Sequence, residues 1–152
     1  MSAVTPTRPI SASTALPRDP TAQAFLLLRI AFTVAPILFG LDKFANVLTD
    51  DWTRYLAPQF DDLIPGSAAT AMHLVGVVEI VAGLVVLAAP RFGGLLVAGW
   101  LGSIILNLLL VGGYGDIALR DFGLLLAALT LARLATADTS DSRDARSEVR
   151  VQ

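Results

Sequence analysis

The chain has 152 residues, of which 55% are hydrophobic and only 16% charged; a soluble domain carries about a quarter charged residues, so a membrane-embedded bundle fits better than a soluble enzyme. The absence of cysteine and the single histidine, His73, exclude thiol chemistry, iron–sulfur clusters and paired-histidine haem ligation within the chain, and leave no metal site to expect. A formal net charge of −2 offers no basic surface to nucleic acid.

Residues 1–20 (MSAVTPTRPISASTALPRDP) are rich in Pro, Ser, Thr and Ala and show no periodicity. They are expected to be disordered. A signal peptide is the alternative reading. Against it, the following apolar run carries Arg29, has no small-x-small cleavage site and is long enough to span.

Residues 21–135 form the expected membrane domain, with helices at about 24–44, 68–89, 91–111 and 116–135. Each has the ~20 residues that cross a bilayer core as a helix. Apolar residues occupy every face, whereas a soluble four-helix bundle keeps polar faces. Pro90-Arg91 and Gly112-Gly113-Tyr114-Gly115 are tight connections, which force antiparallel neighbours. The first connection, 42–67, is long and acidic. Within it Thr49 can cap a short helix, with Asp50 and Asp51 in its first turn. Leu48, Trp52, Tyr55, Leu56 and Phe60 recur at near-helical spacing, and Pro58 breaks the pattern before Phe60. This segment reads as a short helix lying in the membrane interface, with a plain surface loop as the alternative for its second half. The predicted fold is therefore all-α: an antiparallel bundle of four transmembrane helices with an interfacial helix in the first extracytoplasmic loop.

Orientation follows from the basic flanks. Arg8, Arg18, Arg91, Arg133, Arg143, Arg146 and Arg150 fall on one side, against Lys43 and Arg54 among six aspartates on the other. Both termini are expected to be cytoplasmic in the plasma membrane. Residues 136–152 read as a disordered, solvated tail.

The ionisable residues at membrane depth carry the information, because each is unfavourable there by about 3 kcal/mol and so faces the bundle interior by default. At 100° per residue, Arg29, Thr33, Pro36, Gly40 and Lys43 form one stripe on the first helix. Gly76 and Gly83 align on the second, with Glu79 and His73 on either side of that line. Gly94, Ala98 and Gly102 form a ridge for close packing on the third, which also carries Asn107. Asp116, Arg120, Gly123, Ala127 and Thr130 form a stripe on the fourth, beside Asp121. The candidate cluster is thus Arg29, Lys43, His73, Glu79, Asn107, Arg120 and Asp121, with Glu79 at the floor of a polar interior that opens outward. One reading makes it structural: Glu79 paired with Arg29 or Arg120, Asp121 with Lys43 or Arg120, and His73 hydrogen-bonded in the interior. The other makes it a proton relay or a head-group site. No catalytic constellation is complete within the chain.

The helices also resemble a known family. LLLRIAFTVAPILFGLDKF, with its Arg, Gly and Gly-x-x-Lys ending, is similar to the first helix of DoxX-like membrane proteins. VGVVEIVAGLVVLAAPR resembles that family's mid-helix Glu, Gly and short turn, and YGDIALRDFGLLLAALTLARL resembles the Arg-Asp helix start of many actinobacterial members. The likeness covers about residues 24–135. It matches Arg29, Gly40, Lys43, Glu79 and Gly83 to the family pattern, and Arg120 and Asp121 to the subgroup. The resemblance implies a four-helix integral membrane protein; some DoxX-type proteins are linked to quinone-reducing oxidoreductases, including thiosulfate:quinone oxidoreductase subunits, and others to oxidative-stress membrane complexes. The expected function is an accessory subunit of a membrane redox or quinone-linked complex. Its partners would be the bilayer, membrane redox proteins and a second copy of the chain, with a quinone as its non-covalent cofactor. The alternatives are a small transporter or channel for protons or solutes, and a purely structural assembly partner.

Overall fold

The computed structural model describes residues 19–58 and 67–151, with side chains as far as Ala137. The described residues are helical, in four long helices: α1 (Pro20–Ala45), α2 (Ala68–Ala88), α3 (Pro90–Val111) and α4 (Gly115–Val151). The N-terminal segment expected to be disordered lies outside the described residues up to 18.

The helix starts follow from capping chemistry. Asp19 accepts a hydrogen bond from the Ala22 N–H at 3.0 Å, and Pro20 fills the first helical position of α1. Ser67 caps α2 through the Thr70 N–H. Ala89 alone separates α2 from α3, and Pro90 opens the latter. The next turn needs Gly112 and Gly113, both at positive φ (77° and 80°), where a side chain would be strained.

Three helices, α1 to α3, are long and apolar enough to cross a membrane, with hydropathy of 2.2, 2.3 and 2.2 in their most apolar windows. At most 39% of any of these windows is buried within the chain, so most of the apolar surface faces outward, as expected for a membrane protein. The fourth helix departs from its expected end at 135 and runs to Val151. From Leu124 to the C-terminus there is neither Gly nor Pro, so the chain contains no stop signal where its composition turns polar.

Glycines set how closely the helices approach. A Cβ on Gly40 would sit 2.5 Å from the Gly76 carbonyl oxygen, and one on Gly76 would sit 2.7 Å from that of Gly40. The same seam continues where Gly83 meets Thr33 and Ile37. Gly93 seats on Val86, and Gly94 on Ala128 and Ala132. Phe32 of α1, Ala82 and Val86 of α2, Val97 and Ala98 of α3, and Ala128 and Leu131 of α4 close into one apolar core.

The loop after α1 does not form the expected helix from Thr49. Its described residues make a 3-10 turn at Thr53–Tyr55, and Pro58 is again helical. Asp51 starts this turn by accepting from the Thr53 N–H (2.8 Å) and hydroxyl (2.6 Å), a local bond that competes with helix formation. Phe60, the last residue of the expected pattern, lies outside the described residues.

Candidate functional site

The site is built at the end of α1. Lys43 is one turn past Gly40 on the glycine seam. Glu79 is one turn past Gly76 on α2. Because the backbones touch at the two glycines, these side chains meet: Lys43 Nζ donates to Glu79 Oε2 at 2.6 Å, with side-chain exposures of 5% and 11%. This is a buried, charge-assisted bond between two helices.

Lys43 is also covered from the loop. The Trp52 ring centroid lies 4.1 Å from Nζ, a cation–π contact. Trp52 is placed by the residue before Lys43. The Asp42 carboxylate accepts from the Val47 N–H (2.9 Å), the Leu48 N–H (2.8 Å) and the Trp52 indole N–H (3.0 Å). Asn46, at φ 52° and ψ 46°, ends α1 in the left-handed conformation and turns the chain back toward Asp42. Phe39 meets the Trp52 ring edge-on at 6.5 Å.

The chain's second tryptophan, Trp100 of α3, lies beside Glu79. Its indole N–H makes no hydrogen bond of normal geometry and is buried without a partner. Lys43, Trp52 and His73 share a cleft of about 190 Å³ with Asn46, Asp50, Asp51, Thr53, Ala69 and Met72. His73 is exposed and stacks on Phe44, with ring centroids 4.9 Å apart and planes 7° from parallel. The hydroxyl and amide of Thr53 hold the Asp51 carboxyl below its ordinary range.

Of the seven candidate residues, the structure joins Lys43 to Glu79 and brings His73 to the same cleft. It separates the other four. Arg29 does not reach Glu79: it donates through Nη2 to the Leu87 carbonyl at 2.6 Å, satisfying the last turn of α2. Arg120 does not reach Glu79 either. It points outward with 69% side-chain exposure and makes only a 3.4 Å contact to its neighbour Asp121, which matches one of the two expected Asp121 pairings. Asp116, Arg120, Gly123 and Thr130 of the predicted α4 stripe are exposed, whereas Ala118, Asp121, Ala128, Leu131 and Ala132 are buried. The inward face of α4 is therefore the one carrying Asp121. Asn107 is a tether: its amide donates to the Tyr55 carbonyl (2.5 Å) and accepts from the Ala57 N–H (2.8 Å). His73 is not the hydrogen-bonded interior histidine expected. The Gly94–Ala98–Gly102 ridge packs against α4, within the chain.

Asp42, Trp52 and Trp100 were not among the candidates. One sequence signal could have found this place: Lys43 is the chain's single lysine, and Glu79 is one of two glutamates. Among the described residues no group of His, Cys, Asp or Glu is arranged to hold a metal. No family model, curated protein or solved structure matches this chain.

Proposed function

We propose that this chain is a multi-pass plasma-membrane protein: an antiparallel bundle of four spanning helices with both termini cytoplasmic, acting as a DoxX-like accessory subunit of a membrane redox or quinone-linked complex. The order of contacts supports the bundle. Gly40 meets Gly76, Thr33 meets Gly83 and Arg29 meets Leu87, so α2 ascends as α1 descends. Gly102 meets Leu125 and Gly94 meets Ala132 in the same reversed order. The row of Trp52, Tyr55 and Tyr114, with centroids 6.0 and 5.2 Å apart, suits the outer membrane interface.

The observation that carries the functional reading is the buried Lys43–Glu79 pair beside the cleft. An ammonium group has three N–H donors, and Glu79 uses one. The residues fit a head group that accepts hydrogen bonds, such as a quinone carbonyl: Lys43 would donate, His73 would donate or accept, and the cleft would admit it. A bound quinone would supply the electron acceptor for a partner enzyme; this chain contributes the binding groups. The continuous apolar core of Phe32, Val86, Val97 and Leu131 favours a site that ends in the bundle over a conducting path.

The test is gentle extraction followed by mass spectrometry of co-purifying proteins and lipid-soluble small molecules. The reading expects a redox protein and a quinone, both diminished by Lys43→Met and by Glu79→Gln. A chain that purifies alone, with the variants indistinguishable from it, would overturn it.

A further inference from the structure

Asp42 and Lys43 are consecutive residues with opposite tasks: one holds the loop and the other is covered by it. Three donors of residues 47–52 converge on the single Asp42 carboxylate, and the third is the Trp52 indole. That bond sets the ring 4.1 Å over Lys43 Nζ. The ring is half-buried, while Val47 and Leu48 beside it are 79% and 66% exposed. The cover therefore lies on a segment with little packing of its own, attached to the bundle through one carboxylate and the edge contact of Trp52 with Phe39. Such segments open locally at low free energy. The Asn107 tether acts further along, at Tyr55 and Ala57, and leaves residues 46–52 to Asp42.

We propose that Trp52 is a lid on the Lys43–Glu79 pair, latched by Asp42. With the latch closed, the Trp52 ring covers the ammonium, and the Lys43 side chain at the wall of the cleft is only 5% exposed. With it open, the ammonium donors face the cleft. This inference concerns access to the site proposed above and rests on that reading for its purpose, but its test needs no ligand.

Because Lys43 is the single lysine, amine labelling reads one side chain besides the N-terminus. The protein in lipid vesicles is treated with a membrane-impermeant N-hydroxysuccinimide ester, and the Lys43 peptide is followed by mass spectrometry. Asp42→Asn is expected to speed labelling about tenfold, as expected when a charge-assisted hydrogen bond that holds a local opening shut is lost. Trp52→Ala is expected to speed it more. Trp52→Phe keeps a ring in place without the N–H, and should lie between wild type and Trp52→Ala. A second measurement separates opening from a changed lysine reactivity. In a Trp100→Phe background the remaining tryptophan emission is that of Trp52, and Asp42→Asn should raise its quenching by iodide. Faster labelling with unchanged quenching overturns the lid, as does wild-type labelling in all three variants. If both signals change as expected but no small molecule co-purifies, the lid stands and the binding reading falls.

Discussion

Among the described residues, two charge pairs lie in the helices, and they differ in geometry and in burial. Lys43–Glu79 joins two helices at 2.6 Å, and both side chains are nearly inaccessible. Arg120–Asp121 joins sequence neighbours at 3.4 Å, with Arg120 mostly exposed and Asp121 9% exposed. Adjacent residues on a helix point 100° apart, and here Asp121 turns inward while Arg120 faces out. A pair across a helix seam can turn both members inward, provided the backbones approach closely, and Gly40 and Gly76 allow that approach. The difference teaches that Glu79 ties two helices because its cation stands on the other one, whereas Asp121 is buried while its neighbour's guanidinium stays exposed.

The sharpest way to break the comparison is to remove one member of each pair. Glu79→Ala strands an ammonium in the bundle and should destabilise it by about 3–5 kcal/mol. Lys43→Met combined with Glu79→Leu should lose much less, because no lone charge remains. Reversible unfolding in mixed micelles measures both, and equal losses for the single and double variants would remove the distinction. Next in size is Gly76→Val, where the added carbons meet the Gly40 carbonyl and Phe44; about 1–3 kcal/mol of overpacking is expected. Gly123→Ala is its control, since nothing lies within 4 Å of that position. Arg120→Ala should change stability by less than about 1 kcal/mol, given its exposure. A loss as large as that of Glu79→Ala would show that Arg120 has a partner outside the chain.

The smallest effect belongs to Thr53→Ala. It removes the hydroxyl that lowers the Asp51 pKa, so the carboxyl should move up toward its ordinary value in an NMR titration. A group whose pKa is lowered on folding adds stability above its ordinary value and loses it as pH falls through the lowered one. The variant should therefore flatten the acid end of the stability profile, with little change at neutral pH.

The comparison also marks what could be read in advance. The stripe from Arg29 to Lys43 faces α2 as its spacing predicts, since a helix fixes the angle between residues locally. Gly76 and Gly83 lie on the matching line for the same reason. The partner of Glu79 was not legible. Arg29 and Lys43 share one face but stand 14 residues apart, roughly 21 Å along the helix, and only the axial register of α1 against α2 chooses between them. On α4 even the inward face was misread. Its apolar residues surround the helix, so periodicity has no polar side to point away from the core.

The sequence by itself therefore determined the helical class, the tight turns and the apolar exterior of a membrane protein, because these depend on neighbours within a few residues or on composition. Tertiary structure alone decided that Lys43 meets Glu79, that Arg29 caps α2 instead, and that Asp42 folds Trp52 over the lysine. Each of these depends on where two backbones touch, and at Gly40 and Gly76 that contact is made by residues with no side chain to announce it.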